Sequence, residues 1–140
     1  MKQFSWHEMT GSERKLGIGW LRNAVVQANG HGDNLPDDFF PLTGVTVTYN
    51  DTPVAVMTVY FELTAQAAIA GFCMVKNDLP ANIKHHAAET ALAAAEEYVR
   101  LFGKKYLLTF FGSRAVNRMA DRMGFITGDR NAEGKLKLVK

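Results

Sequence analysis

Between residues 67 and 75 the sequence reads Ala-Ala-Ile-Ala-Gly-Phe-Cys-Met-Val, without a charged side chain. Such an unbroken apolar run suits a central strand covered on both faces, not one half open to water. A strand of that kind needs a layer on each side of its sheet, so the rest of the chain must be arranged around it.

Upstream, from Gly44, the pattern has period two and β-branched residues: Val45, Val47 and Tyr49, the turn Asn50-Asp51-Thr52-Pro53, then Val54, Val56, Thr58 and Tyr60. This predicts an antiparallel hairpin, and a second turn near Leu63 to Gln66 joins it to the apolar run as a three-strand meander. Downstream, Lys76 to Asn82 reads as a linker in which Pro80 serves as a first helical residue. An alanine-rich helix follows over about Ile83 to Phe102, stopped by Gly103, with Ala88, Leu92, Ala95, Val99 and Phe102 as its inward stripe. A strand over Tyr106 to Phe111, a short helix from Ser113, the triplet Met123-Gly124-Phe125 and a closing hairpin through Asp129 to Gly134 complete the chain.

At the amino end a short strand is expected over Gln3 to Trp6. Thr10 and Glu13 have the spacing of a capping box and predict a helix from near Ser12. Leu16, Trp20, Ala24, Val25 and Ala28 would be its buried face, and Gly30, Gly32 and Pro36 would end it. The segment Asn29 to Pro41 reads as a solvated loop whose aromatic end, Phe39-Phe40, docks on the core or rims a cleft. Its Asp33, Asp37 and Asp38 do not have the alternating spacing of a calcium loop, so no metal site is expected.

The resulting order is β, α, β, β, β, α, β, α, β, β, with the long helix joining two strands that can lie parallel. The expected class is α/β (α+β), a mixed central sheet with helices on both faces. A chain of 140 residues, 47% hydrophobic and 21% charged, fits one soluble domain. Cys73 is the one cysteine, which excludes a disulfide framework within the chain and fits a reducing compartment. No apolar stretch has a membrane span's length and no leader is visible, so a cytoplasmic protein, or one packaged from the cytoplasm into a virion, is expected. The net charge of +2 does not call for nucleic acid. Lys104-Lys105, the stripe Arg114, Arg118 and Arg122, and the tail lysines Lys135, Lys137 and Lys140 read as solvated faces.

The stretch from Ala67 to Phe125 resembles the core of the GNAT (Gcn5-related N-acetyltransferase) superfamily: central strand, cofactor loop, long helix, strand, short helix and a Gly-Phe pair. The family ending resembles Asn-x-x-Ala-x-x-x-Tyr-x-x-x-Gly-Phe, and the matching run here is Ser113 to Phe125. It retains Gly124-Phe125 literally and places Ser113 at the Asn position and Ala120 at the Tyr position. The family's pyrophosphate loop, Arg/Gln-x-x-Gly-x-Gly/Ala, aligns best on Lys84 to Glu89, with Ala87 at the first glycine and Glu89 at the second small residue.

The resemblance implies acetyl-CoA as cosubstrate and an amine as acceptor. It assigns cofactor contacts to Met74, Val75, Lys84, His85, His86, Ala87 and Ser113. Glu62 and Tyr60, at the end of the hairpin strand, are the candidate catalytic side chains; a thiol in an apolar strand, Cys73, is not activated. Ala87, Glu89 and Ala120 depart from the family pattern. They keep a second reading open: a GNAT-fold structural or binding protein without catalysis, such as a small internal virion protein of a phage, with a protein partner or a second copy of itself.

Overall fold

The computed structural model describes residues 3–27, 35–109 and 114–126, and not the side chains of 25–27 and 114–116. In chain order the elements are β1 (Phe4–Glu8), α1 (Gly11–Gln27), a 3-10 turn (Asp37–Phe39), β2 (Gly44–Tyr49), β3 (Thr52–Phe61), β4 (Ala67–Val75), α2 (Ala81–Leu101), β5 (Tyr106–Thr109) and α3 (Arg114–Arg122). They fall into two compact units, Met1–Phe110 and Phe111–Lys140, and α3 belongs to the second.

The strands form one mixed sheet in the order β1-β2-β3-β4-β5. β1 to β4 pair antiparallel, and β4 pairs with β5 in parallel, as the long helix between them requires. The β2–β3 hairpin closes through Asn50 and Asp51, both at positive φ (51° and 67°), the arrangement whose twist matches the flanking strands. β4 has the expected bounds, but β3 is the middle strand, and β4 buries Ala68, Ala70 and Met74 while its other residues are half-buried.

α1 starts at Gly11 through the expected capping box: the Thr10 amide donates to Glu13 Oε1 (2.9 Å) and the Glu13 amide to Thr10 Oγ1 (3.3 Å). Its buried face differs from the predicted stripe. Gly17, Ile18 and Trp20 are buried, whereas Leu16 and Ala24 are exposed. The reason is close approach: a Cβ on Gly17 would stand 2.9 Å from Val56 Cβ and 3.1 Å from Met74 Cε, so the glycine lets the helix rest on β3 and β4. Ile18, Trp20, Phe40, Val56 and Met74 form the core of this face, with Phe39 and Phe72 packed at its edge. Two α1 arginines fasten the loop that covers it. Arg14 donates to the carbonyls of Asp37 (2.6 Å) and Phe40 (3.1 Å), and Arg22 to Leu35 O (2.8 Å) and Asp37 Oδ1 (2.7 Å).

α2 covers the opposite face, across β1 to β4. It begins at Ala81, ahead of the expected Ile83, with Pro80 outside it as the cap. It buries Ala87, Ala91, Leu92, Ala94, Ala95, Tyr98 and Val99. Of the predicted stripe, Leu92, Ala95 and Val99 are buried, Ala88 is half-buried and Phe102 is 55% exposed. The expected hairpin through Asp129 to Gly134, the lysine tail, Asp33 and the glycines after α1 lie outside the described residues. Among the described residues no helix is long and apolar enough to cross a membrane.

Candidate functional site

The site begins as a defect in the β3–β4 ladder. Met57 faces Cys73 and Val59 faces Ala70, so Thr58 alone stands opposite two residues of β4, Gly71 and Phe72. That is a β-bulge, which bends the strand and sharpens its twist. The Phe72 amide donates to Thr58 Oγ1 (3.2 Å), so the threonine side chain supplies the acceptor that the ladder loses. Gly71 has to be a glycine: a Cβ there would lie 2.7 Å from Tyr60 Cε2 and 2.8 Å from Thr58 Oγ1. The glycine inside an apolar strand was the available sequence signal for this bulge.

The bulge coincides with the end of the parallel pairing. β5 pairs with Ala67 to Ala70 only, so among the described residues nothing pairs with the β5 side of β4 from Gly71 onward. The amides of Phe72 and Lys76 point to β3, the latter donating to Val54 O (2.9 Å). Strand alternation then turns the Cys73 and Val75 amides to the open edge. Met74 serves elsewhere, its side chain 1% exposed against α1.

A short linker carries the chain from this edge to the amino end of α2. Asn77 fixes it by donating from Nδ2 to Trp20 O (3.2 Å). The Lys84 amide donates to Pro80 O (3.0 Å), so the helix-start amides without an intrahelical partner are those of Ala81, Asn82 and Ile83. Pro80, Ala81 and Asn82 are exposed, and the first turn holds no acidic residue. Free amides and the positive end of the helix dipole make this a place for an anion. These amides lie ahead of Lys84 to Glu89, the segment on which the family's pyrophosphate loop aligns best in sequence; Pro80 is the break that sets the helix start.

Lys84, His85, His86 and Ala87 lie inside α2. Ala87 is fully buried against the sheet. His85 and His86 are exposed; His85 stands 3.8 Å from Glu89, and the His86 ring lies 6.1 Å from Phe4. Glu89 is about 12 Å along the helix from Ala81 at 1.5 Å per residue, which takes its carboxylate away from the free amides.

Tyr60 and Glu62 part company at the end of β3. The Tyr60 ring lies against Gly71 in the bulge, its hydroxyl donates to Phe39 O (3.2 Å), and burial raises its pKa. Glu62 is exposed and caps the β3–β4 turn, accepting from the Thr64 amide (2.6 Å), the Thr64 hydroxyl (2.9 Å) and the Ala65 amide. These bonds, led by the Ala65 amide, hold its pKa below the ordinary value. The Cys73 residue is half-buried, but its thiol is enclosed, and burial pushes its pKa up to about 12.

Ser113 lies outside the described residues. In the second unit, Ala120 is buried and Gly124 has φ +93°. Among the described residues no group of three or more His, Cys, Asp or Glu side chains could hold a metal ion.

No protein-family model and no curated protein matches the sequence. Solved structures do match over almost the whole chain. The aminoglycoside acetyltransferase meta-AAC0020 from an uncultured soil metagenomic sample, solved in complex with sisomicin, matches with a TM-score of 0.68 at 9% identity, covering 96% of each chain. The aminoglycoside N-acetyltransferase AAC(6')-Iy, solved in complex with CoA, matches with a TM-score of 0.65 at 9% identity, over 99% of this chain and 97% of that one. A GCN5-related N-acetyltransferase from Ralstonia eutropha JMP134 gives a TM-score of 0.69 at 10% identity, over 95% of this chain and 99% of that one. At such identities the likeness carries the fold alone.

Proposed function

We propose that this chain, whose fold is that of the GNAT acetyltransferases, binds a CoA thioester along the open edge of β4 and transfers its acetyl group to an amine. The observation that carries this reading is the coincidence of the Gly71-Phe72 bulge with the end of β5 pairing. It leaves strand amides at Cys73 and Val75 facing the edge that the linker joins to the free amides of Ala81 to Ile83.

The residues fit such a molecule. The α2 amides, with Lys84 close behind, would hold the diphosphate, and the thioester supplies an activated acetyl group. A strand amide at Cys73 or Val75 donates to the carbonyl oxygen and stabilises the negative charge that grows there during attack. The amine nitrogen forms the C–N bond while the C–S bond breaks; its surplus proton passes to water, and the departing thiolate takes a proton. Tyr60 is the side chain we assign to give that proton, because its ring lies over Gly71 in the bulge and its phenol is protonated at neutral pH. Glu62, already accepting three hydrogen bonds, we assign to shaping the turn.

One observation favours a second reading, a GNAT-fold binding or structural protein without catalysis. At the family's Tyr position stands Ala120, a buried methyl group with no proton to give. Calorimetric titration with acetyl-CoA and desulfo-CoA, followed by an assay of free thiol release with a panel of amines, separates the two. Micromolar binding and amine-dependent thiol release support the enzyme. Absence of binding removes acyl transfer, and binding without turnover supports the scaffold.

A further inference from the structure

The α1 side of the bulge is walled by aromatic rings. Phe72 is itself a bulge residue, and its ring centroid lies 5.1 Å from that of Phe40 and 6.0 Å from that of Phe39. Tyr60 lies over the other bulge residue, Gly71, and is tied to Phe39 through its hydroxyl. Phe40 is core, whereas Phe39, Phe72 and Tyr60 are half-buried and keep surface open.

The described carboxylates of this unit are mostly engaged or placed elsewhere. Asp37 pairs with Arg22 at 2.7 Å. Glu13 accepts from His7, Thr10 and Thr46. Glu62 caps its turn, and Glu8 lies by Tyr98 under α2. Glu89, Glu96 and Glu97 pair along α2 with His85 and Arg100. Asp51 sits in the β2–β3 turn and Asp78 in the linker before α2. That leaves Asp38, exposed beside Phe39, with no ion pair to a described residue.

Resting on the acyl-transfer reading above, we propose that the acceptor is a monoamine carried on an aromatic or compact apolar body, and not a polycation. Aromatic walls receive such a body by edge or offset stacking and attract a single ammonium through the ring faces. A polycation needs several carboxylates to offset the desolvation of its charges, and the described residues of this surface offer one, Asp38.

The test is calorimetric titration of the full chain with 2-phenylethylamine and with spermidine, and separately with CoA. The aromatic amine binds at least about tenfold more tightly than spermidine, and Phe72→Ala weakens it by about tenfold while Phe72→Leu weakens it less. Circular dichroism checks that each variant folds; if Phe72→Ala does not, Phe39→Leu at the half-exposed rim carries the test with a several-fold loss. Spermidine bound as tightly as the aromatic amine, or folded variants without effect, overturns the proposal. Aromatic selectivity without CoA binding supports the amine surface and removes acyl transfer. CoA binding without selectivity overturns the acceptor class and leaves acyl transfer standing, and failure of both ligands to bind overturns both.

Discussion

Gly103 and Gly124 end two helices by one device. Gly103 has φ +78°; its amide donates to Arg100 O (2.9 Å) and that of Lys104 to Val99 O (3.2 Å). Gly124 repeats this pattern after α3, its amide donating to Asp121 O (3.2 Å) and that of Phe125 to Ala120 O (3.0 Å). The Gly-Phe pair, the one literal match to the family ending, therefore has a backbone reason. Gly103→Ala should cost about 1–2 kcal/mol by urea unfolding, since a Cβ is strained at positive φ. Glu13 gives a pH dependence. Burial by itself raises its pKa, but hydrogen bonds from the Thr10 amide, His7, Thr46 and the Thr10 hydroxyl outweigh it and hold the group below its ordinary value. A folded value below the unfolded one means stabilisation that is present above the unfolded value and lost as pH falls through the folded one. Unfolding followed from about pH 6 to about pH 3 should show a steeper loss in the native chain than in Glu13→Gln.

At the level of elements, the β4 bulge is the most exacting piece. Gly71→Ala drives a methyl group into Tyr60 and the buried Thr58, so a loss of about 1–3 kcal/mol is expected, together with weaker CoA binding by calorimetry on the proposed acyl-transfer reading. At the amino end of α2, Ala81→Asp should have opposite effects on two measurements. The carboxylate complements the helix dipole and adds about 0.3–1 kcal/mol of stability, yet on the proposed acyl-transfer reading it repels a diphosphate and weakens CoA binding by about tenfold. Sequence located both helices through capping chemistry, Thr10 with Glu13 and Gly103, because caps are local. It placed Trp20 correctly on the inner face of α1 but took Leu16 and Ala24 for buried and missed Gly17, which carries no hydrophobic signal although it lies close against Val56 and Met74. It read Pro80 as the first helical residue and started the helix near Ile83, whereas Pro80 stands before the helix, which begins at Ala81.

For the molecule as a whole, the element order as far as α3 and the parallel pairing of β4 with β5 were legible, since a long helix between two apolar strands admits few arrangements. The candidate site was less so, because the donors proposed for it are main-chain amides whose freedom depends on where pairing stops, and no side-chain pattern encodes that. If CoA binds the folded chain alone, a hundredfold excess over Kd should add about 2.7 kcal/mol of stability, seen as a rise in Tm. The layer beneath α2 bears on the proposed site. Ala87, Ala91, Ala94 and Ala95 are four of the seven residues that α2 buries, and their methyl groups have no torsions to adjust. Small side chains of this kind let the helix lie close to the strands, so the packing of α2 on the sheet sets where Ala81 to Ile83 hold their N–H groups.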